Sequence, residues 1–509
     1  MSVVSTTAPV LIVGAGPGGL FAACELARHG VRARLVDRMT DPHHEARATA
    51  LQPAVLELLA RAGVVERFLA TGVPVRGARM FGPGLKQIAV GTFAGIGSTY
   101  EHQCSLPQWM TEEILTAHLE QLGGRVERGT EVEAIEDSDD FVHVLLRHGN
   151  GSLEELRVSY LLGAGGAHGP TRATMHATLD GTTYRGHFVV ADVRVDLPGE
   201  PEEARVCVGP TGLVLLAPLP DQRWIMFVTL DEDQATPLGM HADEATVAAL
   251  VDGRLGAHAG IHDMRWSSTF AMHRRISPRL AEGRRFLLGD AAHLSSPLGG
   301  EGMNAAITDA ADIAWKLALV LNGSGRPVLL NSYAVERGLA DQHVLEVSDL
   351  VHSNVMSMVE TYAAGREPVL DPPDAARDLV LQRSRTMLDV SYAGSPLVAE
   401  RVADVSLPSA GQRFPYRDRL SGTRHHLLHF GDCSTAELAR LGENWTGLVD
   451  VVDGRNAGFD ATLSGADGGG ALLVRPDGVI GFRTCPADKV GLAALDQHLN
   501  SYLVPRAVN

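Results

Sequence analysis

The first part of the chain alternates between apolar and glycine-rich stretches. A short apolar run at 9–13, typical of a buried strand, leads into GAGPGG at 14–19. Leu20, Ala23, Leu26 and Ala27 then recur on or near one helical face, and a second apolar run follows at 33–36. This pattern predicts a strand, a helix and a second strand, which together form a βαβ unit.

The middle of the chain carries two further patterns. Residues 126–147 alternate like a hairpin. Residues 176–275 alternate over short strands at 189–195, 205–208, 213–219 and 224–230, which predicts an antiparallel sheet with one buried face. A short strand is predicted at 285–288, and helices are predicted at 305–321, 328–360 and 373–391.

The tail from about Pro408 reads as a separate unit. Strands are predicted at 427–430, 448–450 and 471–474, and a closing helix at 492–503. The sequence RPDG at 475–478 is a turn signal between two strands.

Composition narrows the classes of function. The chain has 509 residues, enough for about three structural units, and a net charge of −17. An acidic chain without a basic block argues against nucleic acid as a partner. The longest apolar runs are strand-sized, which argues against a membrane partner. We therefore expect a small-molecule substrate; a homo-oligomer is compatible with this composition.

The N-terminus and the cysteines predict a cytoplasmic protein. Residues 1–8 carry no basic side chain, and the apolar run that follows ends in glycines, so no secretory signal is predicted. The five cysteines are scattered and form no CxxC pair, which indicates reduced thiols and argues against a disulfide framework or a zinc site. No HxH or HExxH spacing suggests another metal site.

The glycines of the predicted βαβ unit have the spacing of a dinucleotide-binding turn. Gly14 permits the tight turn, Gly16 lets a pyrophosphate approach the backbone, and Gly19 lets the helix pack closely on the strand. The helix N-terminus offers unpaired N–H groups to phosphates. Asp37, at the end of the second strand, is placed to accept hydrogen bonds from an adenosine ribose.

A second strand–loop–helix arrangement lies far downstream. Gly289-Asp290 ends the strand predicted at 285–288, and a carboxylate there suits a polyol hydroxyl. Backbone N–H groups at 299–304, at a helix N-terminus, could face the negative edge of a reduced flavin. His293 is more often structural than catalytic in such a place.

These two motifs together resemble a known family. GAGPGG at 14–19 and GDAAHLSSPLGGEGMNAAITDAADIAWKLA at 289–318 are similar to the FAD-dependent aromatic hydroxylases of the para-hydroxybenzoate hydroxylase fold, in particular the branch that tailors bacterial polyketides. The resemblance covers nearly the whole chain. It implies an α/β fold with a Rossmann-like FAD-binding domain, an antiparallel-sheet substrate domain and a thioredoxin-like C-terminal domain.

The resemblance also implies domain bounds and cofactor-binding residues. The FAD-binding domain would comprise 1–75, 106–175 and 276–400, the substrate domain 76–105 and 176–275, and the C-terminal domain 401–509. Arg47 matches the arginine that reaches the FAD pyrophosphate, Gln108 the glutamine beside the cofactor, and Asp290 the aspartate on the ribityl chain. The implied set is Gly14, Gly16, Gly19, Asp37, Arg38, Arg47, Gln108, Asp290 and, in the loop around the isoalloxazine, Pro297, Gly299, Gly300 and Asn304.

One segment departs from the family pattern. The family has a strand ending in Asp-Gly, followed by Ala, Arg and Ser, and this segment supports FAD and the nicotinamide cofactor. Here Gly165, His168 and Gly169 stand at the Asp, Arg and Ser positions, while Arg172 is retained. Either the motif has drifted while its backbone keeps its shape, or hydride delivery has been lost while FAD stays bound.

The resemblance implies an FAD-dependent monooxygenase that uses NAD(P)H and a flavin C4a-hydroperoxide. It would hydroxylate, epoxidise or perform Baeyer–Villiger oxidation on an aromatic or polyketide-type intermediate. The alternative is a non-redox cyclase that catalyses a [4+2] cycloaddition, with FAD as a structural element. A flavin-bound sensor or scaffold is a third reading, although no output module is evident.

No catalytic base can be assigned from the sequence. Several side chains of predicted sheet segments could serve, but each is more often a packing residue than an acid–base group; they are Tyr100, His102, Tyr184, His187 and His273.

Overall fold

The computed structural model describes residues 4–42, 44–45, 48–197, 200–230, 233–234, 241–369, 374–402, 408–420, 422–431, 433–460, 463 and 469–505. Within them, the N-terminal βαβ unit forms as predicted, with β1 (Val4–Val13), α1 (Pro17–Arg28) and β2 (Ala33–Asp37). Because β1 has neighbours on both edges and both faces, Val10, Leu11 and Ile12 are fully buried. This two-sided burial explains the uninterrupted apolar run.

The elements up to residue 194 follow in chain order. They are β3 (Ala50–Leu51), α2 (Pro53–Arg61), α3 (Val65–Thr71), β4 (Val73–Val75), β5 (Gly77–Phe81), β6 (Gln87–Thr92), β7 (Gln103–Ser105), α4 (Gln108–Gln121), β8 (Val126–Arg128), β9 (Thr130–Asp137), β10 (Val142–His148), β11 (Leu153–Gly163), α5 (Pro170–Thr174) and β12 (Asp180–Arg194).

The later elements complete three sheets. They are β13 (Glu203–Gly209), β14 (Gly212–Leu219), β15 (Arg223–Leu230), α6 (Glu244–Leu255), β16 (His262–Ile276), β17 (Ala281–Glu282), β18 (Arg285–Leu287), β19 (His293–Leu294), α7 (Gly302–Leu321), α8 (Val328–Ala363), α9 (Ala375–Arg385), β20 (Ala399–Val402), β21 (His425–Phe430), α10 (Thr435–Asn444), β22 (Val449–Asp453), β23 (Gly470–Val474), β24 (Ile480–Cys485) and α11 (Lys489–Tyr502).

The first sheet has the order β17-β18-β11-β1-β2-β8, and the antiparallel pair β9–β10 joins it through β11. Its two faces have separate cores. Val10 and Ile12 pack towards α1 and α7, whereas Leu11 and Val13 pack towards the β9–β10 hairpin. The carboxyl ends of β1, β2 and β11 therefore meet at one edge, where α1 begins.

The second sheet has the order β19-β16-β12-β15-β14-β13-β5-β6. The expectation that it is wholly antiparallel is wrong, because β5 runs parallel to β13. β5 follows β4, which belongs to another sheet, so the direction of β5 is not set by a hairpin with β13. The expected strand region 76–105 is split between two sheets. β5 and β6 belong to the second sheet, whereas β7 pairs with β3 and β4 in a separate three-stranded sheet.

A helix was missed inside the predicted strand region 176–275. α6 covers the outer face of the second sheet with Val247, Val251 and Leu255. Asp243 caps it by accepting a 2.7 Å hydrogen bond from the backbone of Thr246, and Gly256 ends it in a left-handed conformation. These end signals were readable in the sequence.

The third sheet, β20-β24-β23-β21-β22, lies near the C-terminus with α10 and α11. The turn predicted at 475–478 joins β23 to β24 as expected. Buried ion pairs connect this part to the first layer. Arg475 lies between β23 and β24 and contacts Glu336 of α8 at 2.6 Å, and Lys316 of α7 reaches the same carboxylate at 2.6 Å.

None of the helices in the described ranges is both long enough and apolar enough to cross a membrane.

Candidate active site

One cavity of about 2060 Å³ runs from the β1–α1 turn to the inner face of the second sheet. At one end it is lined by backbone of the 14–19 turn. At the other end the lining is mostly apolar, from β12, β14, β15 and β16. The first layer and the second sheet therefore open onto a shared space.

The three predicted glycines occupy different environments at this turn. Gly14 has φ of +106°, and a Cβ there would overlap the carbonyl oxygen of Ala164. A Cβ on Gly19 would overlap the carbonyl oxygen of Gly14. By contrast, a Cβ on Gly16 would meet nothing within 4 Å and would project into open space beside the helix N-terminus. Gly14 and Gly19 thus permit the fold, whereas Gly16 leaves the cradle clear for a ligand.

Asp37 and Arg38 lie where the ribose end of a dinucleotide is expected. Both line the cavity. The Asp37 carboxylate accepts 2.7 Å and 2.8 Å hydrogen bonds from the backbone N–H groups of Ala15 and Met39, which fixes its position beside the glycine turn. Arg47 is outside the described residues, so its predicted contact with the pyrophosphate stays a prediction.

The structure brings Gln108 and Asp290 to the same cavity. Gln108 opens α4 and donates a 2.8 Å hydrogen bond to Glu112. Asp290 lies in a 3-10 turn, Gly289–Ala291, and is exposed to the cavity. Beneath this turn, the buried Asp309 accepts a 2.8 Å hydrogen bond from the Gly289 backbone. Asp309 is a positioning residue that sequence reasoning missed.

His293 has the structural role that was expected of it. Burial disfavours its charged form, but the carboxylates of Asp341 and Asp309 outweigh burial and raise the pKa of His293 to about 9. Its Nε2 lies 2.9 Å from Asp309. It is therefore a cation at neutral pH and cannot act there as a general base.

The loop between Pro297 and Asn304 passes the cavity at the start of α7. Pro297, Gly299 and Gly300 line the cavity, whereas Asn304 lies behind them, fully buried. Its side-chain amide donates to the carbonyls of Ala50 (2.7 Å) and Gly300 (2.8 Å), and its oxygen accepts from the backbone of Gln52 (2.8 Å). Asn304 therefore shapes the loop from behind.

The segment that departs from the family pattern also lines the cavity, at Gly165, His168 and Gly169. A Cβ on Gly165 would lie 3.2 Å from the Cα of Gly169, so the two glycines cross closely. Arg172 donates hydrogen bonds to the carbonyl oxygens of Ala167 and Ala291, the latter at 3.0 Å. The retained arginine thus ties this loop to the turn that carries Asp290.

The side chains considered as possible bases lie away from this space. Tyr100, His102, Tyr184, His187 and His273 are all absent from the lining of the cavity. Tyr184, for example, donates a 2.7 Å hydrogen bond to Asp349 and packs on the His352 ring at 4.1 Å between centroids.

One buried acid at the cavity was not singled out from the sequence. Glu301 precedes α7, lines the cavity and is 1% exposed. Burial raises the pKa of Glu301 to about 8, with Arg385 opposing the rise and Asp389 adding to it. The residue that opposes the rise in pKa, Arg385, lies in α9 and is distant from Glu301 in the sequence.

These residues fit FAD. The clear space at Gly16 and the N–H groups at the start of α1 suit a pyrophosphate. Asp37 suits a ribose, Asp290 a ribityl chain, and the loop at 297–300 a planar ring. All lie along one continuous cavity.

Comparison with known proteins agrees with FAD as the cofactor. A family model described as FAD binding domain matches residues 7–348, and one described as aromatic-ring hydroxylase, C-terminal, matches residues 395–503. A relative from Streptomyces rimosus, 12-dehydrotetracycline 5-monooxygenase/anhydrotetracycline 6-monooxygenase, is 30% identical; the alignment covers 98% of this chain and 99% of the relative.

Two solved structures share the fold at 25% identity. Aklavinone-11 hydroxylase, in a ternary complex with FAD and aklavinone, has a TM-score of 0.78, covering 97% of this chain and 98% of that one. The Diels-Alderase PyrE3 from the pyrroindomycin pathway has a TM-score of 0.73, covering 98% and 99%.

The fold and the site define a flavoprotein with a dinucleotide cradle that opens onto an apolar pocket. More specifically, the chain belongs to the FAD-binding aromatic-ring hydroxylase family of flavin-dependent monooxygenases, and FAD is its cofactor.

Proposed function

We propose that this chain hydroxylates an aromatic ring of a polycyclic, polyketide-type intermediate. Epoxidation and Baeyer–Villiger oxidation are related reactions for the same site. The observation that carries the proposal is the continuity of the cavity, from the glycine turn to the apolar face of the second sheet. Cofactor and substrate would share one space, as direct oxygen transfer requires.

The lining of the pocket supports a multi-ring substrate. The second sheet contributes Val190, Leu213, Leu215, Phe227 and Phe270 to the cavity wall. Flat apolar rings gain the most binding free energy from contact with such a surface. The names of two relatives, an anhydrotetracycline monooxygenase and an aklavinone hydroxylase, describe substrates of this kind.

The side chains of this chain bind and orient, and the chemistry comes from the cofactor. FAD, when bound, supplies the reductive activation of molecular oxygen. Asp290 would accept hydrogen bonds from ribityl hydroxyls, and the N–H groups at the start of α7 would stabilise negative charge on the flavin ring. The apolar wall would exclude water that diverts the reaction to peroxide.

We propose NAD(P)H as the electron donor. Gly165 and Gly169 cross closely, and Arg172 fixes their loop against the Asp290 turn, so the loop can keep its shape without the carboxylate and arginine of the family pattern. This supports the interpretation that the motif has drifted.

The domain division remains a proposal as well. We assign 1–75, 106–175 and 276–400 to the FAD-binding domain, 76–105 and 176–275 to the substrate domain, and 401–509 to the C-terminal domain. The order β22-β21-β23-β24, with one parallel and two antiparallel pairs and α10 between β21 and β22, supports a thioredoxin-like core.

A non-redox [4+2] cyclase is the second candidate. The observation that favours it is the pair Gly165 and His168, because a lost nicotinamide contact would matter little to a cyclase. One solved structure of similar fold is a Diels-Alderase.

An anaerobic reduction experiment separates the two candidates. The FAD-loaded protein is mixed with NADPH or NADH, with and without anhydrotetracycline or another phenolic polycycle. Bleaching of the flavin absorbance that the polycycle accelerates supports the hydroxylase. No bleaching with either nicotinamide contradicts it, and substrate turnover with oxidised FAD and no oxygen establishes the cyclase.

A further inference from the structure

Three buried polar groups in the lining of the cavity have no hydrogen-bond partner among the described residues. They are both carboxylate oxygens of Glu301, Oε1 of Gln382 and Nε of Arg385. All three residues line the same cavity. Buried polar atoms in proteins are nearly always hydrogen-bonded, so three such groups in one place need an explanation.

The three groups come from two helix ends. Glu301 immediately precedes α7, and its Oε2 lies 2.5 Å from where a Cβ on Gly299 would be, so the carboxyl sits directly behind the cavity loop. Arg385 is the last residue of α9, and Gln382 precedes it by three positions on the same helical face. In the described part of the chain, Glu301 is the one carboxyl whose charge acts on Arg385.

The charges that act on Glu301 and Arg385 leave this pair positive at neutral pH. The other charged residues of α9 that line the cavity, Arg377 and Asp378, lie 3.9 Å apart as a pair of their own. Glu301 has a pKa of about 8 because it is buried, so it is mostly neutral at pH 7. Arg385 loses some basicity through burial but remains a guanidinium cation. Besides Arg385, the charged residue that acts on Glu301 is Asp389, whose carboxylate pairs with His343 at 3.1 Å.

We propose that Arg385 and Gln382 anchor an acidic oxygen of the substrate, an ionised phenol or vinylogous enol, with the Glu301 carboxyl packed behind the cavity loop. This inference rests on the proposed function, since it names the substrate class of the same pocket. Arg385 donates to the anionic oxygen, and Gln382 Oε1 accepts from a neighbouring substrate hydroxyl. The phenol O–H bond breaks on binding, and its proton passes to solvent.

The arrangement has a chemical consequence. A cation in contact with an acid lowers the acid's pKa by about one to three units. An ionised phenol is richer in electrons than the neutral phenol and is attacked more readily by an electrophilic oxygen. Arg385 would therefore both orient the ring and raise its reactivity.

Alizarin, a dihydroxylated anthraquinone that changes colour on ionisation, is a suitable probe. It is titrated with oxidised, FAD-loaded enzyme in the absence of nicotinamide, and its spectrum is followed from weakly acidic to alkaline pH. We expect the pKa of bound alizarin to lie about one to two units below its free value. Binding without this shift, or no binding, overturns the proposal.

A variant of α9 tests the anchor itself. Arg385→Met should abolish the shift and weaken binding of the alizarin anion about tenfold or more for each unit lost. Arg440→Met, which removes an exposed arginine of α10 that pairs with Glu437 at 2.9 Å and does not line the cavity, should keep the shift. Unsubstituted anthraquinone should bind equally to all three proteins, which excludes misfolding as the cause. A full shift in Arg385→Met contradicts the proposal.

Glu301→Gln tests the buried acid. In the native protein the affinity for the alizarin anion should fall as the pH rises past about 8, because the Glu301 carboxylate then neutralises Arg385. Glu301→Gln should keep its affinity for the anion there; the same fall in that variant overturns the role of Glu301. Because none of these measurements uses turnover, they succeed or fail separately from the hydroxylase reaction.

Discussion

Arg172 donates a 3.0 Å hydrogen bond to the carbonyl oxygen of Ala291, which joins the loop that departs from the family pattern to the turn that carries Asp290. Arg172 also donates to Ala167 within the departing loop. Two cavity-lining segments, one from β11 and one from β18, are therefore held together by one guanidinium.

Replacing this arginine should loosen both segments. Arg172→Met removes two charge-assisted hydrogen bonds, so we expect FAD to bind about tenfold more weakly or worse. The measurement is titration of the FAD-free protein with FAD by fluorescence. Arg172→Lys should restore little of the FAD affinity, because an ammonium group cannot make the two separate hydrogen bonds of the planar guanidinium. Unchanged affinity in Arg172→Met contradicts this role.

The glycine turn offers a matched pair of substitutions. Gly16→Val places its side chain in open cavity, so the FAD-free protein should keep its melting temperature while FAD affinity falls by more than about tenfold. Gly19→Val forces a clash with the backbone of Gly14, so the FAD-free protein itself should lose about 1–3 kcal/mol of stability. Calorimetry with and without FAD distinguishes the two. A destabilised Gly16→Val apoprotein would contradict the assignment of Gly16 to the space where the cofactor binds.

Asp290 has a prediction of its own. Asp290→Ala should lower flavin occupancy in the purified protein markedly, because the ribityl hydroxyls lose their carboxylate acceptor. The ratio of flavin to protein absorbance measures this. Asp290→Asn, which keeps an acceptor oxygen, should retain more flavin. Equal occupancy in native protein and Asp290→Ala would show that the carboxylate does not hold the ribityl chain.

The buried cluster around Arg475 predicts a pH-dependent loss of stability. Burial opposes ionisation of Glu336 and Asp477, yet the positive charge of Arg475 holds the pKa of each carboxyl below the ordinary range for that group. This stabilisation is present above the ordinary carboxyl pKa and is lost as the pH falls. Arg475→Met should cost about 3–5 kcal/mol at neutral pH, because it leaves buried carboxylates without their main partner.

Denaturant unfolding at several pH values tests the cluster. The difference between native protein and Arg475→Met should shrink as the pH drops through the carboxyl range. A difference that does not depend on pH would mean that Arg475 contributes packing only. Arg424→Met, which breaks an exposed pair with Asp450, is the control and should cost less than about 1 kcal/mol.

The sequence predicted the parts of this molecule that rest on local pattern. The strand ending at Val13, the glycine turn and the RPDG turn at 475–478 each follow from neighbouring residues. The helix α6 was missed although Asp243 and Gly256 mark its ends, because it lies in a region, 176–275, that was interpreted as a whole as alternating strands. The parallel pairing of β5 with β13 was beyond reach, since it depends on chain paths between distant layers.

The candidate site divides in the same way. Gly16 and Asp290 were predicted from motifs whose spacing reflects direct contact with a cofactor. Asn304 was also predicted, but its position behind the loop depends on Gln52, far away in the sequence. The partnership of Glu301 with Arg385 could not be foreseen, because only folding brings the start of α7 to the end of α9.

Oxygen-isotope labelling tests the central claim, that this chain is an FAD-dependent monooxygenase of a polycyclic substrate, most directly. Reaction of the FAD-loaded enzyme with NAD(P)H and a phenolic polycycle under ¹⁸O₂ should give a product that carries one ¹⁸O atom and should consume one nicotinamide per product. A product that forms without oxygen or nicotinamide, and carries no label, would contradict the account and identify a cyclase.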